Sequence, residues 1–154
     1  MRAIDRTLVD EVWREVTAYP PGRQADEARE FLEGQPQVAA FCQAVTRELD
    51  VAVQRAAIGL AFLLFKIFEA SLGMRCPPVG QRRIREAYEG TTEWLEQPEE
   101  SGGGFPHRDL VQYLVESVDG DEEAKAALFL LLKTLSAVLD TPHPASPQRG
   151  EEKR

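Results

Sequence analysis

The sequence has few of the side chains on which metal binding and catalysis usually depend. Its 154 residues include two cysteines and two histidines, with no Cys-x-x-Cys pair and no Cys/His cluster. This composition indicates neither a zinc site nor a disulfide framework. Neither His107 nor His143 stands three residues after a glutamate, as the Glu-x-x-His motifs of di-metal helical bundles require. We therefore expect no metal site, no cofactor and no histidine-based catalytic centre.

Positive charge is also scarce. The chain has 18 Lys and Arg against 26 Asp and Glu, a net charge of -8. Nucleic acids and anionic membranes attract basic surfaces, so we expect neither as a partner. The basic cluster Arg82, Arg83 and Arg85, at a predicted helix N-terminus, is a candidate for an anion site. The alternative is ordinary intrahelical pairing of Arg82 with Glu86 and of Arg85 with a glutamate one turn later.

Long apolar runs and strand-like alternation are missing as well. The longest apolar run, residues 56–65, is too short to cross a bilayer and is typical of a buried core helix. The first residues include no apolar stretch, so we expect no secretory leader and predict a cytoplasmic protein. Because no segment alternates with period two, we predict an all-α fold.

Apolar residues recur at three- and four-residue spacing, which predicts a single helical domain over residues 1–140. We expect a bundle of about six or seven helices, with Asp5 and Asp121 as N-caps. Tyr88 and Leu95 are expected to face inward. The predicted helical stretches are residues 5–19, 24–33, 36–73, 81–97, 106–118 and 122–139. Residues 141–154 have the composition of a disordered tail.

Two segments of the chain resemble each other. Residues 62–70 and 129–137 align without a gap and share five of nine residues. If this is a duplication, residues 36–73 should break near Asp50, and two hairpins (residues 36–73 and 106–140) should pack about a pseudo-twofold axis. The alternative is a chance likeness between two helices rich in leucine, alanine and phenylalanine.

Both of these helices are apolar around most of their circumference and carry one narrow polar stripe. Phe62 and Lys66 lie on the first stripe, and Phe129 and Lys133 lie on the second. An aromatic ring beside charge is frequent at interfaces, so these four residues are candidate interface positions. The plainer interpretation, which we favour, is that each phenylalanine closes the edge of the core while its lysine extends to water.

These patterns favour a non-catalytic module that works through protein contacts, either as a homodimer or with another protein. The alternative is a helical bundle that binds a small apolar or anionic ligand between its hairpins, with Lys66, Lys133 or the arginine cluster at the mouth. An enzyme would need carboxylates or lysines brought together from distant segments, which the spacing of residues does not show.

Overall fold

Seven α-helices make up most of residues 2–96 and 105–140, the part of the chain that the computed structural model describes. They are α1 (Arg6–Thr17), α2 (Pro21–Gly34), α3 (Pro36–Thr46), α4 (Val51–Leu72), α5 (Gln81–Glu96), α6 (Arg108–Glu116) and α7 (Glu122–Asp140). No strand occurs within these residues. The predicted all-α bundle is confirmed, whereas the predicted tail, residues 141–154, lies outside the described residues.

The core forms around α4 and α7, which pack against each other. α4 also packs against α1 and α3, and α7 also packs against α5 and α6. Leu64 and Ile67 of α4 and Leu128 and Leu131 of α7 are completely buried. Each such side chain contributes about 1.5–3 kcal/mol of hydrophobic free energy relative to its exposed state. The broad apolar circumference of these helices is therefore used for packing on several sides.

By length and composition α4 could cross a membrane, and no other helix of the described part has that property. Half of its most apolar window is nevertheless buried inside the bundle. Such burial is consistent with the core helix of a soluble protein.

The predicted break within residues 36–73 is confirmed, because α3 ends at Thr46 and α4 begins at Val51. Asp50 occupies the N-cap position of α4, but its side chain makes no capping hydrogen bond. Gln54 closes the turn instead, since its amide Nε2 lies 3.2 Å from the carbonyl oxygen of Thr46 and 3.1 Å from that of Leu49. The first turn of α4 thus caps the end of α3.

The starts of two other helices differ from the prediction by two residues or more. α2 begins at Pro21 rather than Gln24, because a proline suits the first helical position, where its missing N–H would have no intrahelical partner. α6 begins at Arg108, two residues later than expected. His107 precedes it with a φ of 66°, in the left-handed region, and this conformation delays the start of the helix.

The helices adjoin in the order that two hairpins would require. α3 packs against α4, α6 packs against α7, and the two long helices meet in the middle. The duplication of residues 62–70 and 129–137 itself stays a prediction.

The side chain of Gln35 joins the beginnings of α3 and α5. It is buried, with 6% of its surface exposed. Its Nε2 donates to the carbonyl oxygen of Pro77 at 3.0 Å, and its Oε1 accepts from the backbone N–H of Val79 at 2.9 Å. Because α3 starts at Pro36 and α5 at Gln81, the two helices begin side by side at one end of the bundle.

We expect Gln35→Ala to lower the free energy of unfolding by about 1–3 kcal/mol, because it leaves the buried N–H of Val79 without an acceptor. Gln43→Ala is the control, since Gln43 is exposed on α3 and such surface changes stay within about 0.5 kcal/mol. Urea unfolding of both variants measures the difference. Equal effects would contradict the bridging role of Gln35.

Candidate functional site

An open apolar groove of about 570 Å³ lies between α3, α5 and α7. Its volume is within the range of about 300–1,000 Å³ that is usual for small-molecule sites. Apolar side chains form most of its surface: Ala40, Phe41, Ala44, Val45, Ile84, Tyr88, Ala127 and Leu130. The polar residues of the lining are Gln37, Gln81 and Arg85.

One wall of the groove is aromatic. The rings of Phe41 and Tyr88 meet edge to face, with their centroids 5.9 Å apart. Tyr88 is 38% exposed and Leu95 is 46% exposed, so the prediction that both face inward is wrong. The buried stripe of α5 follows Ile84 and Thr91 instead, because α3 and α7 are the helices that cover α5. Tyr88 is thereby left as an accessible ring at the side of the groove.

The predicted arginine cluster does not act as one unit. Arg82 pairs with Glu86 on the exposed side of α5, with Nε and Oε2 3.2 Å apart, as the intrahelical alternative predicts. Arg83 donates to the carbonyl oxygen of Val138 in the last turn of α7 at 2.7 Å. Arg85 lines the groove, and its guanidinium has neither an ion pair nor a hydrogen bond within residues 2–96 and 105–140.

The polar residues of the groove come from the beginnings of two helices. Gln81 is the first residue of α5, Gln37 lies in the first turn of α3, and Arg85 follows one turn into α5. Because Gln35 holds these two helix starts together, their N-terminal dipoles lie at the same end of the groove. This end favours an acidic group, while the rest of the groove favours apolar contact.

Phe62 and Lys66, the first pair of predicted interface residues, are covered by α2 of the same chain. The ring of Phe62 contacts that of Phe31 at 5.7 Å between centroids. Lys66 Nζ lies 3.1 Å from Glu27 Oε1, and the lysine lowers the pKa of that carboxyl group. A smaller cavity of about 310 Å³ adjoins this pair. Whether Phe62 and Lys66 meet a partner stays a prediction.

Phe129 and Lys133, the second predicted pair, belong to an aromatic cluster that brings α5 and α7 together. The ring of Trp94 lies 5.3 Å from that of Phe105 and 6.3 Å from that of Phe129. Lys133 Nζ is 4.7 Å from the ring centroid of Phe105 and 5.2 Å from that of Trp94. Only 7% of Lys133 is exposed, so the aromatic cluster covers most of this side chain. Whether its ammonium group reaches water, as we favoured from the sequence, stays a prediction.

Trp94 and Phe105 were not predicted as functional residues. Phe105 follows the glycine-rich stretch 102–104 directly, but Trp94 stands eight residues before Gly102, and no spacing in the sequence indicates that the two rings meet.

The buried Lys133 makes stability depend on pH. Burial lowers the pKa of Lys133 in the folded protein, so above that pKa the unfolded chain binds more protons than the folded one. Relative to Lys133→Met, the wild type should therefore gain stability as the pH rises through the folded-state pKa towards the ordinary value of 10.5. Urea unfolding of both proteins near neutral pH and near pH 10 measures this gain. The prediction is wrong if the unfolding free energies of the wild type and Lys133→Met differ by the same amount at both pH values.

The two thiols are poorly suited to nucleophilic chemistry. Burial raises the pKa of Cys42 to about 12, and it raises the pKa of Cys76 to about 12 with a further contribution from the charge of Glu69. The Glu69 carboxylate also accepts a hydrogen bond from the backbone N–H of Cys76 at 3.0 Å. Since the thiolate is the reactive form, both cysteines are held in their unreactive form at neutral pH.

Both thiols should therefore react with Ellman's reagent at least about thirtyfold more slowly in the native protein than in the unfolded chain near pH 8. The small thiolate fraction slows the reaction, and the higher nucleophilicity of a more basic thiolate offsets part of that effect. Absorbance after mixing, with and without guanidinium chloride, gives both rates. A fast phase whose amplitude corresponds to one thiol per native chain would show that one of the two cysteines is not protected.

Other arrangements with catalytic potential are few in the described part of the chain. His107 Nε2 lies 2.8 Å from Asp140 Oδ1, and its ring packs on Phe68. Residues 2–96 and 105–140 include no group of three His, Cys, Asp or Glu side chains that could hold a metal ion. The contact of His107 with Asp140 holds the start of α6 against the end of α7.

The chain matches no protein-family model, no curated protein and no solved structure. Its function is therefore inferred from the groove and its surroundings.

Proposed function

We propose that this protein is a non-catalytic binding module whose groove between α3, α5 and α7 receives the apolar face of an amphipathic helix from another protein. The observation that carries this proposal is the open apolar groove with the exposed ring of Tyr88 in its wall. Docking of an amphipathic helix into an apolar groove is a recurring mode of recognition, and aromatic side chains are enriched at such contacts.

The length of the groove suits a helix. The lining residues of α3 run from Gln37 to Val45, which at 1.5 Å per residue is about 12 Å. Apolar residues at positions i and i+7 of a partner helix are about 10 Å apart, so two turns would fill the groove. Phe41, Ile84 and Leu130 would meet the apolar side chains of that helix.

The charge of the groove suggests how the partner is oriented. Arg85 and the two helix starts attract a carboxylate, so we infer that the partner helix carries an acidic residue beside its apolar face. Pairing with such a residue would give the unpaired guanidinium of Arg85 a partner and fix the register of the helix. The covering of Phe62 by α2 and of Phe129 by Trp94 is the reason to place the contact at the groove.

We also propose a cytoplasmic location, without nucleic acid or membrane as a partner. Support comes from the net charge of -8 and from the free thiols of Cys42 and Cys76.

The second candidate function is the binding of a small ligand with an apolar body and an acidic head. The volume of about 570 Å³ and the position of Arg85 at the polar end favour it. Such a ligand would contact the same groove residues as the proposed partner helix.

A displayed library of helix-forming peptides tests the proposal on the full chain. Selected peptides should show apolar residues at i, i+3 or i+4, and i+7 with a neighbouring acidic residue. Tyr88→Glu should weaken their binding at least about tenfold, because it places a negative charge in the apolar wall. Leu95→Glu is the matched control, since Leu95 is an exposed apolar residue of α5 outside the groove lining.

Fluorescence polarisation of the selected peptides measures these affinities. Selection of no peptide, or equal loss in Tyr88→Glu and Leu95→Glu, would overturn the helical partner. A native mass spectrum separates the remaining alternatives. A retained small molecule would support the second candidate function, and a dimer that dissociates in Tyr88→Glu would make the partner a second copy of the chain.

A further inference from the structure

The cavity of about 310 Å³ beside Phe62 and Lys66 lies between α2, α4 and the segment that leads into α5. Three phenylalanines form its apolar part. The ring of Phe31 meets that of Phe62 at 5.7 Å and that of Phe65 at 5.1 Å between centroids, both edge to face. Since one water molecule takes about 30 Å³ of the liquid, the cavity has room for a small organic ligand of about ten non-hydrogen atoms.

Charged side chains of both signs line this cavity, and burial divides them into two groups. Glu30 and Arg75 are exposed, so water and salt screen their charges. Glu27, Lys66 and Glu69 are half-buried. Lys66 pairs with Glu27, with Nζ and Oε1 3.1 Å apart, and these two charges offset each other. The half-buried charge that is left over is the carboxylate of Glu69, so the inner part of the cavity is negative.

Glu69 is held in place with one oxygen available. Its Oε2 accepts from the backbone N–H of Cys76 at 3.0 Å, which fixes the carboxylate against the segment after α4. Within residues 2–96 and 105–140, Glu69 forms no ion pair and its Oε1 accepts no hydrogen bond. A half-buried charge is screened less than an exposed one, so a cation beside Glu69 would be bound more strongly than one at the surface.

The aromatic side chains of the cavity are compatible with a cation. The ammonium group of Lys66 already lies over the ring of Phe62, with Nζ 5.6 Å from the ring centroid. Aromatic faces attract cations, and the rings also offer a large apolar surface. A ligand that suits both features has an ammonium head for Glu69 and a compact apolar body for Phe31 and Phe62.

We propose that this cavity binds a small primary amine, with its ammonium group paired with the Glu69 carboxylate and its apolar body packed against Phe31 and Phe62. The ammonium group has three N–H donors, one of which would reach the available Oε1. The charge of this site is opposite to that of the groove between α3, α5 and α7, where Arg85 attracts an acidic group. No residue lines both the cavity and the groove, so the inference does not rest on the proposed function.

Phenethylamine is the probe, and the full chain labelled with ¹⁵N is the protein. At neutral pH and constant ionic strength the amine should shift the backbone N–H resonance of Cys76 saturably, because this N–H donates to Glu69. Phenethyl alcohol, which has a hydroxyl group in place of the ammonium group, should bind at least about tenfold more weakly. A Cys76 resonance that does not move with the amine, or equal affinities for the amine and the alcohol, would overturn the proposal.

Isothermal titration calorimetry with phenethylamine compares the variants. Glu69→Gln should bind at least about tenfold more weakly, because it removes the charge but keeps an oxygen that can accept from Cys76. Glu33→Gln is the matched control, since Glu33 is an exposed carboxylate of α2 outside the cavity lining. Equal affinities of the two variants for the amine would show that Glu69 does not bind it.

Two further readouts locate the ligand. Tyr88→Glu should bind phenethylamine like the wild type, because Tyr88 belongs to the groove between α3, α5 and α7. A loss in Tyr88→Glu as large as that in Glu69→Gln would place the amine outside the cavity and overturn the site. Circular dichroism checks that Glu69→Gln is folded, and if it is not, the comparison of the amine with the alcohol in the wild type still tests the charge.

Discussion

The side-chain amide of Gln35 donates one hydrogen bond and accepts another, and both go to the segment that precedes α5. A buried amide that is satisfied on both sides fixes its two backbone segments relative to each other. Since α3 follows Gln35 directly, this contact determines where α3 and α5 begin. The groove, its aromatic wall and its polar end all depend on these two helices starting together and continuing across α7.

The two aligned lysines show how position in the fold changes the chemistry of one residue type. Lys66 has a carboxylate partner, Glu27, supplied by α2. Lys133 instead lies under Trp94 and Phe105, and no described carboxylate reaches it. The first lysine forms an ordinary ion pair, whereas the second is a cation whose contacts in the described part of the chain are with aromatic faces. The internal likeness of the sequence therefore does not extend to the surroundings of these side chains.

Local features of the sequence predicted much of the fold. Asp5 accepts from the N–H of Leu8 at 3.0 Å, and Asp121 accepts from that of Ala124 at 2.9 Å, as expected of N-caps three residues away. Such contacts depend only on neighbours in the chain. The burial of Lys133 depends on α5 and on Phe105, and helical periodicity cannot show which other helix covers a residue. The groove could not be predicted for the same reason, because it depends on which helices pack against one another.

The dependence of α4 on α7 has a consequence for biosynthesis. α4 leaves the ribosome well before α7 has been translated, and until then the side that packs against α7 has no cover. During that interval the nascent chain displays an apolar helix with the length and composition of a membrane anchor. The core around α4 is therefore completed only after α7 has been translated, and before then the uncovered side of α4 is the kind of hydrophobic surface that chaperones shield.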